Sequence, residues 1–283
     1  MASRRAAARG PAAGAFVTGA ADLTLPDGAR LHYELSGQPA GQPIVFVHGF
    51  ALDRRVWDDQ LSVFGARYRV LRYDARGFGR SSLPSGPYAH ADDLIALVDH
   101  LALGPVNLVG LSMGGGVAAS FALARPAATR SLVLVDPLIG GYRWSAAFGA
   151  VLTAVGRCAR ERGVAAARRL WLAGELFAPA RERPTVAAKL RRIVGDYSGW
   201  HWLQRDPGRA EMPSVLERIG QVRAPTLLLL GEHDLPDFHD CADRVAAALP
   251  AAERRLIPGA GHLPNMEQPR RFDEALLAFL ERL

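Results

Sequence analysis

The sequence predicts an α/β protein: a mainly parallel sheet covered by helices on both faces, with a helical segment inserted before its last strands. Three observations predict it. Short, wholly apolar runs alternate with stretches of helical spacing, as strands buried on both faces require. Several of these runs end in glycine-rich turns that hold Ser, Asp or His. The alternation then stops between Leu138 and about Pro213, a segment that holds four of the five tryptophans (Trp144, Trp171, Trp200, Trp202).

The elements follow in order. Ala21 to Leu25 and Ala29 to Leu35 read as two strands joined by the turn Pro26-Asp27-Gly28, the antiparallel exception in the sheet. Ile44 to Val47 is a purely apolar strand ending in His48-Gly49-Phe50. Trp57 to Phe64 reads as a helix. Arg69 to Tyr73 is a strand ending in Asp74-Ala75-Arg76-Gly77-Phe78-Gly79-Arg80-Ser81. Leu94, Ile95, Leu97, Val98 and Leu101 give Ala89 to Leu103 a helical period. A strand then runs into Ser112, and Met113 to Ala124 reads as a helix. Leu132 to Val135 ends at Asp136-Pro137. Within the insertion, Ala146 to Cys158 and Val164 to Phe177 read as helices. Thr226 to Leu230 is a strand ending in Gly231-Glu232-His233-Asp234, and Asp240 to Ala248 is a helix. Arg254 to Ile257 precedes Gly259-Ala260-Gly261-His262, and Phe272 to Leu283 closes the chain as a helix. The expected division is a disordered tail over residues 1–20, a core over 21–137 and 214–283, and a helical cap over 138–213 lying above the C-terminal edge of the sheet.

Composition excludes several classes. The chain has 283 residues, with 49% hydrophobic and 22% charged, as in ordinary soluble domains. Its net charge is +6, yet the arginines are scattered among acids, as in Arg160-Glu161-Arg162 and Arg181-Glu182-Arg183, and form no basic stripe with interleaved aromatics. Nucleic acid is therefore not an expected partner. Cys158 and Cys241 are far apart and lack metal-ligand spacing, so neither a disulfide framework nor a zinc site is expected. Ser3-Arg4-Arg5 looks like the start of a twin-arginine signal, but Arg9, Gly10, Pro11 and Gly14 interrupt the apolar stretch it would need. No run approaches the ~18 apolar residues of a membrane span. A cytoplasmic protein with no membrane partner is the expectation; composition says nothing of oligomeric state.

Gly110-Leu111-Ser112-Met113-Gly114 is a G-x-S-x-G pentapeptide between an apolar run (Val106, Leu108, Val109, Leu111) and a run of small residues (Gly115 to Ala119). A serine between strand and helix must turn sharply, and glycines flank it because a Cβ there would crowd the neighbouring backbone. Such a turn holds the hydroxyl above the sheet edge, where a nucleophile belongs; a glycine-rich turn with a capping serine is the plainer reading of the pentapeptide alone. A nucleophilic serine needs a base, and the base needs an orienting acid. Asp234 and His262 each follow a predicted strand, so all three residues converge on the C-terminal edge of the sheet, where open α/β sheets place their sites.

With these motifs in this order, the chain resembles α/β-hydrolase-fold proteins over about residues 21–283. The resemblance rests on His48-Gly49-Phe50, Asp74 to Ser81, Gly-Leu-Ser112-Met-Gly-Gly, Gly-Glu-His-Asp234 and Gly-Ala-Gly-His262. Gly-Leu-Ser-Met-Gly-Gly and the run from Gly259 to Pro269 are similar to 3-oxoadipate enol-lactonase-like and related small-ester hydrolases. The resemblance implies a Ser112–His262–Asp234 triad and an oxyanion hole from the backbone N–H groups of Met113 and Phe50, donors fixed before charge develops. It implies no metal, nucleotide, flavin or other cofactor, and a small-molecule substrate. Asp136 ends the strand before the cap, where some members of the fold place the acid; with Asp234 present it is the secondary candidate. His48, Asp74 and Arg76 are expected to shape their loops, His233 and His239 to be solvated.

The expected reaction is hydrolysis of a carboxylic ester or lactone through an acyl-enzyme on Ser112. Trp144, Trp171, Trp200, Trp202 and Leu263 are the candidate substrate contacts, and their apolar character points to a hydrophobic or aromatic substrate. A serine nucleophile disfavours the aspartate-based dehalogenase and epoxide hydrolase chemistries. Carbon–carbon bond hydrolysis, acyl transfer, perhydrolysis, a cyclase or lyase step, and a ligand-binding protein without turnover are the alternatives on the same fold.

Overall fold

The computed structural model describes residues 19–283. The expected tail lies outside the described residues except for Gly19 and Ala20, which open the first strand instead of preceding it. The sheet comprises β1 (Gly19–Thr24), β2 (Arg30–Gly37), β3 (Pro43–Val47), β4 (Arg69–Tyr73), β5 (Val106–Leu111), β6 (Thr129–Val135), β7 (Thr226–Gly231) and β8 (Glu253–Ile257). Their order is β1-β2-β4-β3-β5-β6-β7-β8. The β1–β2 and β2–β4 pairs are antiparallel and every later pair is parallel, as the sequence indicated. Every residue of β5 and of β7 is buried. That follows from their unbroken apolar runs, because layers on both faces leave no polar side for a strand. At the edge, β8 alternates between exposed and covered residues.

Several boundaries differ from the sequence reading for identifiable reasons. Trp57 to Phe64 is not one helix: a 3-10 turn spans Arg54–Gln60 and an α-helix Leu61–Gly65. Asp53 caps the turn, accepting from the Arg55 N–H, and so starts it earlier than the apolar period suggests. The helix expected over Val164 to Phe177 ends at Ala173, because Gly174 is extended and starts a 3-10 turn, Glu175–Phe177. The helices expected from Asp240 and Phe272 begin earlier, at prolines: Pro236–Ala248 and Pro269–Leu280. Proline suits the first helical turn, where its missing N–H costs nothing.

Between β6 and β7 the chain is helical, with Ala146–Arg162, Val164–Ala173, Ala178–Arg181, Pro184–Asp196 and Trp200–Leu203. This segment docks on the loop after β4. His201 stacks on Phe78 at 4.5 Å between ring centroids and 12° between planes, and Tyr197 stacks on the same ring at 5.4 Å. The loop is itself rigid. Asp74 accepts from the Arg54 and Arg80 amides, each at 2.9 Å. Arg76 is buried and pairs with Asp93 through Nε at 2.9 Å and Nη2 at 2.8 Å. The shaping role expected for Asp74 and Arg76 is the one their contacts describe. Among the described residues, no helix is long and apolar enough to cross a membrane.

Candidate active site

Ser112 stands at the junction of β5 and the helix Met113–Ala124, with φ +54° and ψ −116°. A non-glycine residue in this region is strained, by an amount on the order of 1–3 kcal/mol, and persists only when its surroundings enforce it. The surroundings are explicit. The Ser112 N–H donates to Val135 O at 2.8 Å, continuing the sheet, and its carbonyl accepts from Gly115 and Leu138 at 2.8 and 2.9 Å. A Cβ on Gly110 would lie 2.2 Å from Gly114 O, and one on Gly114 would lie 2.3 Å from Val47 O. The glycines of the pentapeptide are thus required by backbone contact, and the capped-turn reading fails because the Ser112 side chain makes no cap hydrogen bond.

The candidate base and acid come from the two loops beyond β7 and β8. His262 Nδ1 bonds Asp234 Oδ2 at 2.8 Å, and both side chains are buried. Asp234 Oδ1 accepts from the Leu235 N–H at 2.7 Å. With Nδ1 donating to the carboxylate, Nε2 of neutral His262 is left as the acceptor. Asp136 does not contact His262 by hydrogen bond; its carboxylate accepts from the Gly231 N–H at 3.0 and 3.2 Å. His48 holds the loop after β3. Its Nε2 accepts from Ala75 N at 2.9 Å, which leaves Nδ1 to donate to Gly49 O at 2.8 Å. Burial pushes the His48 imidazole below its ordinary range, consistent with this neutral tautomer.

Ser112, His262, Phe50 and Met113 all line one cavity of about 770 Å³. Met113 is the first residue of its helix, so its N–H has no intrahelical acceptor. The Phe50 N–H takes no backbone partner among the described residues. The Phe50 ring is fixed by edge-on contacts with Phe78, Trp171, Tyr197 and His201. Of the expected substrate contacts, Trp171 and Trp202 line the cavity. Trp144 packs on Phe148 and Phe238 instead, Trp200 sits edge-on to His201, and Leu263 is buried, all three outside the cavity wall. A tryptophan count could not sort these, because Trp200 and Trp202 lie on one short helix whose two sides face different ways.

The alpha/beta hydrolase family model matches residues 44–275. The chain belongs to the alpha/beta hydrolase family. A 3-oxoadipate enol-lactonase from Acinetobacter baylyi is 28% identical over 273 residues, covering 92% of this chain and 96% of that relative. The structure of a thermophilic esterase from Thermogutta terrifontis is similar at a TM-score of 0.79 and 31% identity, covering 93% of this chain and 98% of that one. That of the enol-lactonase from Burkholderia xenovorans gives a TM-score of 0.78 at 25% identity, with 92% and 100% covered.

Sequence reasoning missed two parts of this hydrolase's site. One is the cavity wall supplied by the first cap helix, through Phe148, Leu152, Gly156 and Arg160; nothing in a helical period marks which cap face looks inward. The other is Glu267. Its carboxylate accepts from the Gly261 N–H at 2.7 Å and the Leu263 N–H at 3.1 Å, clasping the backbone on both sides of His262. Burial pushes this carboxyl up, against the pull of the two amides and of Arg183. The signal was present in Gly-His-Leu-Pro-Asn-Met-Glu267, an acid one helical turn beyond the histidine loop. Glu267→Ala leaves both buried amides without an acceptor, at about 1–3 kcal/mol each. The expected outcome is lower stability in denaturant unfolding and a loss of hydrolytic kcat/KM of about 10²-fold from displaced His262. Glu267→Gln, which keeps an acceptor, should recover part of both.

Proposed function

We propose that this chain is a cofactor-free serine hydrolase that cleaves a carboxylic ester or lactone of a hydrophobic or aromatic small molecule through an acyl-enzyme on Ser112. The observation that carries this reading is the buried His262–Asp234 pair, whose imidazole lines the same cavity as the strained Ser112 elbow. His262 Nε2 takes the hydroxyl proton as Ser112 Oγ attacks the substrate carbonyl. Asp234 holds the imidazole in the required tautomer and stabilises the imidazolium. The Phe50 and Met113 N–H groups receive the oxyanion, assisted by the positive end of the helix starting at Met113. His262 then protonates the leaving oxygen, and the alcohol departs or, from a lactone, stays tethered. Water deprotonated by His262 attacks the acyl-enzyme and releases the acid. The rings of Phe50, Phe148, Trp171, Phe177, Trp202 and Phe238 on the cavity wall favour an apolar or aromatic substrate. The esterase and enol-lactonase relatives support ester or lactone cleavage.

Two outcomes test it with a graded series of aryl and alkyl esters and lactones. Ser112→Ala should lower kcat by about 10⁶-fold while circular dichroism and unfolding stay those of the wild type; retained turnover refutes the assignment. Acidification should lower kcat/KM with the slope of one proton, because a protonated imidazole cannot accept the Ser112 proton. A profile flat from about pH 5 to pH 8 contradicts a histidine base.

A further inference from the structure

Asp136 is fully buried and is bound to the first residue of the turn that carries Asp234, the partner of His262. It follows β6 directly, with φ +41°, and its N–H donates to Leu229 O at 3.0 Å on β7. Its carboxyl accepts from the Gly231 N–H, while the Asp234 N–H donates to Gly231 O at 3.2 Å. One turn, Gly231 to Asp234, therefore ties both aspartates to the same backbone: Asp136 through the Gly231 amide and Asp234 through the Gly231 carbonyl. A carboxyl–carboxyl hydrogen bond requires that one of the two hold a proton.

We propose that Asp136 is the neutral member: a positioning residue that stays protonated at working pH and donates its O–H to the Asp234 carboxylate. The assignment of the charge follows from the partners. Asp234 receives the His262 Nδ1–H and the Leu235 N–H, the latter leading into the helix Pro236–Ala248, whose N-terminus favours an anion. Asp136 receives only the Gly231 amide. The other charged group facing it is Glu267, a further carboxylate, itself 3.9 Å from Arg183. Among the described residues, His262 is the one basic side chain paired with either aspartate. Burial, and next the Asp234 charge, push the Asp136 carboxyl well above the usual carboxylate range. A neutral donor leaves the triad with a single negative charge. Two charges there would overstabilise the imidazolium and raise the pH at which the base becomes active.

The inference rests on the triad reading above, and two readouts separate its failure from that of the triad. Asp136→Asn keeps an acceptor for Gly231 and a donor for Asp234, and replaces one neutral group by another. The acid limb of its pH–kcat/KM profile should coincide with that of the wild type, and kcat should stay within about threefold. Infrared difference spectra at neutral pH should lose the carbonyl band of one protonated carboxyl relative to the wild type. Asp136→Ser, also a neutral donor, gives the same comparison if the Asn variant does not fold. An acid limb displaced downward by about one pH unit or more would mean that an anion had been removed, and overturns the proposal. So does an unchanged infrared difference, or an Asp136→Asn rate as low as that of Asp234→Asn. If the wild type cleaves no ester or lactone, the triad reading fails and the infrared comparison still decides the state of Asp136.

Discussion

The close approach of backbone at the end of β5 is the constraint on which the rest of the site depends. Gly110 lies against Gly114, and Gly114 against Val47 and His48, with no space for side chains. This contact forces Ser112 into a left-handed conformation and starts a helix immediately after it. The same contact brings the loop after β3, with Phe50, beside the first helical amide at Met113. Strain at one residue is offset by a sheet whose central strands are wholly buried, β5 and β7 among them. The candidate nucleophile and oxyanion donors are therefore placed by packing before any ligand arrives, the arrangement that favours electrostatic stabilisation of a transition state.

The candidate base and acid depend on a second constraint, the economy of buried charge. His262 is surrounded by carboxyls from three elements: Asp234 after β7, Asp136 after β6 and Glu267 in the turn that follows the histidine. Each has its own backbone amides, and those amides show the division of labour. Asp234 pairs with the imidazole, Glu267 holds the loop backbone, and Asp136 takes the Gly231 amide at the head of the Asp234 turn. A buried site tolerates such a group only when protonation leaves few of its members charged. Above it, the aromatic cluster of Phe50, Phe78, Tyr197 and His201 ties the cap to the core and closes one side of the cavity.

Much of this was legible in the sequence, because the relevant signals are local. An apolar run that ends in a glycine-flanked serine needs only its neighbours to predict strand, turn and helix, and Met113–Ala124 and Arg69–Tyr73 have the expected boundaries. The order Ser112, Asp234, His262 places each residue at the end of a strand, so the sheet alone brings them to one edge. Signals carried by distant contacts were not legible. Which tryptophans face the cavity depends on how a short cap helix rotates against Phe78, a contact across more than a hundred residues of sequence. The role of Glu267 depends on amides whose direction a sequence does not display. The contact of Asp136 with the turn that carries Asp234 requires knowing that β6 and β7 are neighbours. The helices expected from Asp240 and Phe272 start earlier, at Pro236 and Pro269, because proline suits a first helical turn that an apolar period does not mark.

The most direct test of Ser112 as a nucleophile activated by His262 is covalent labelling of the folded protein with a fluorophosphonate, mapped by peptide mass spectrometry. The account predicts a single adduct on the peptide containing Ser112, formed stoichiometrically and suppressed in a folded His262→Ala variant. A folded wild-type protein that takes up no label, or that is labelled elsewhere while Ser112 remains unmodified, would contradict it.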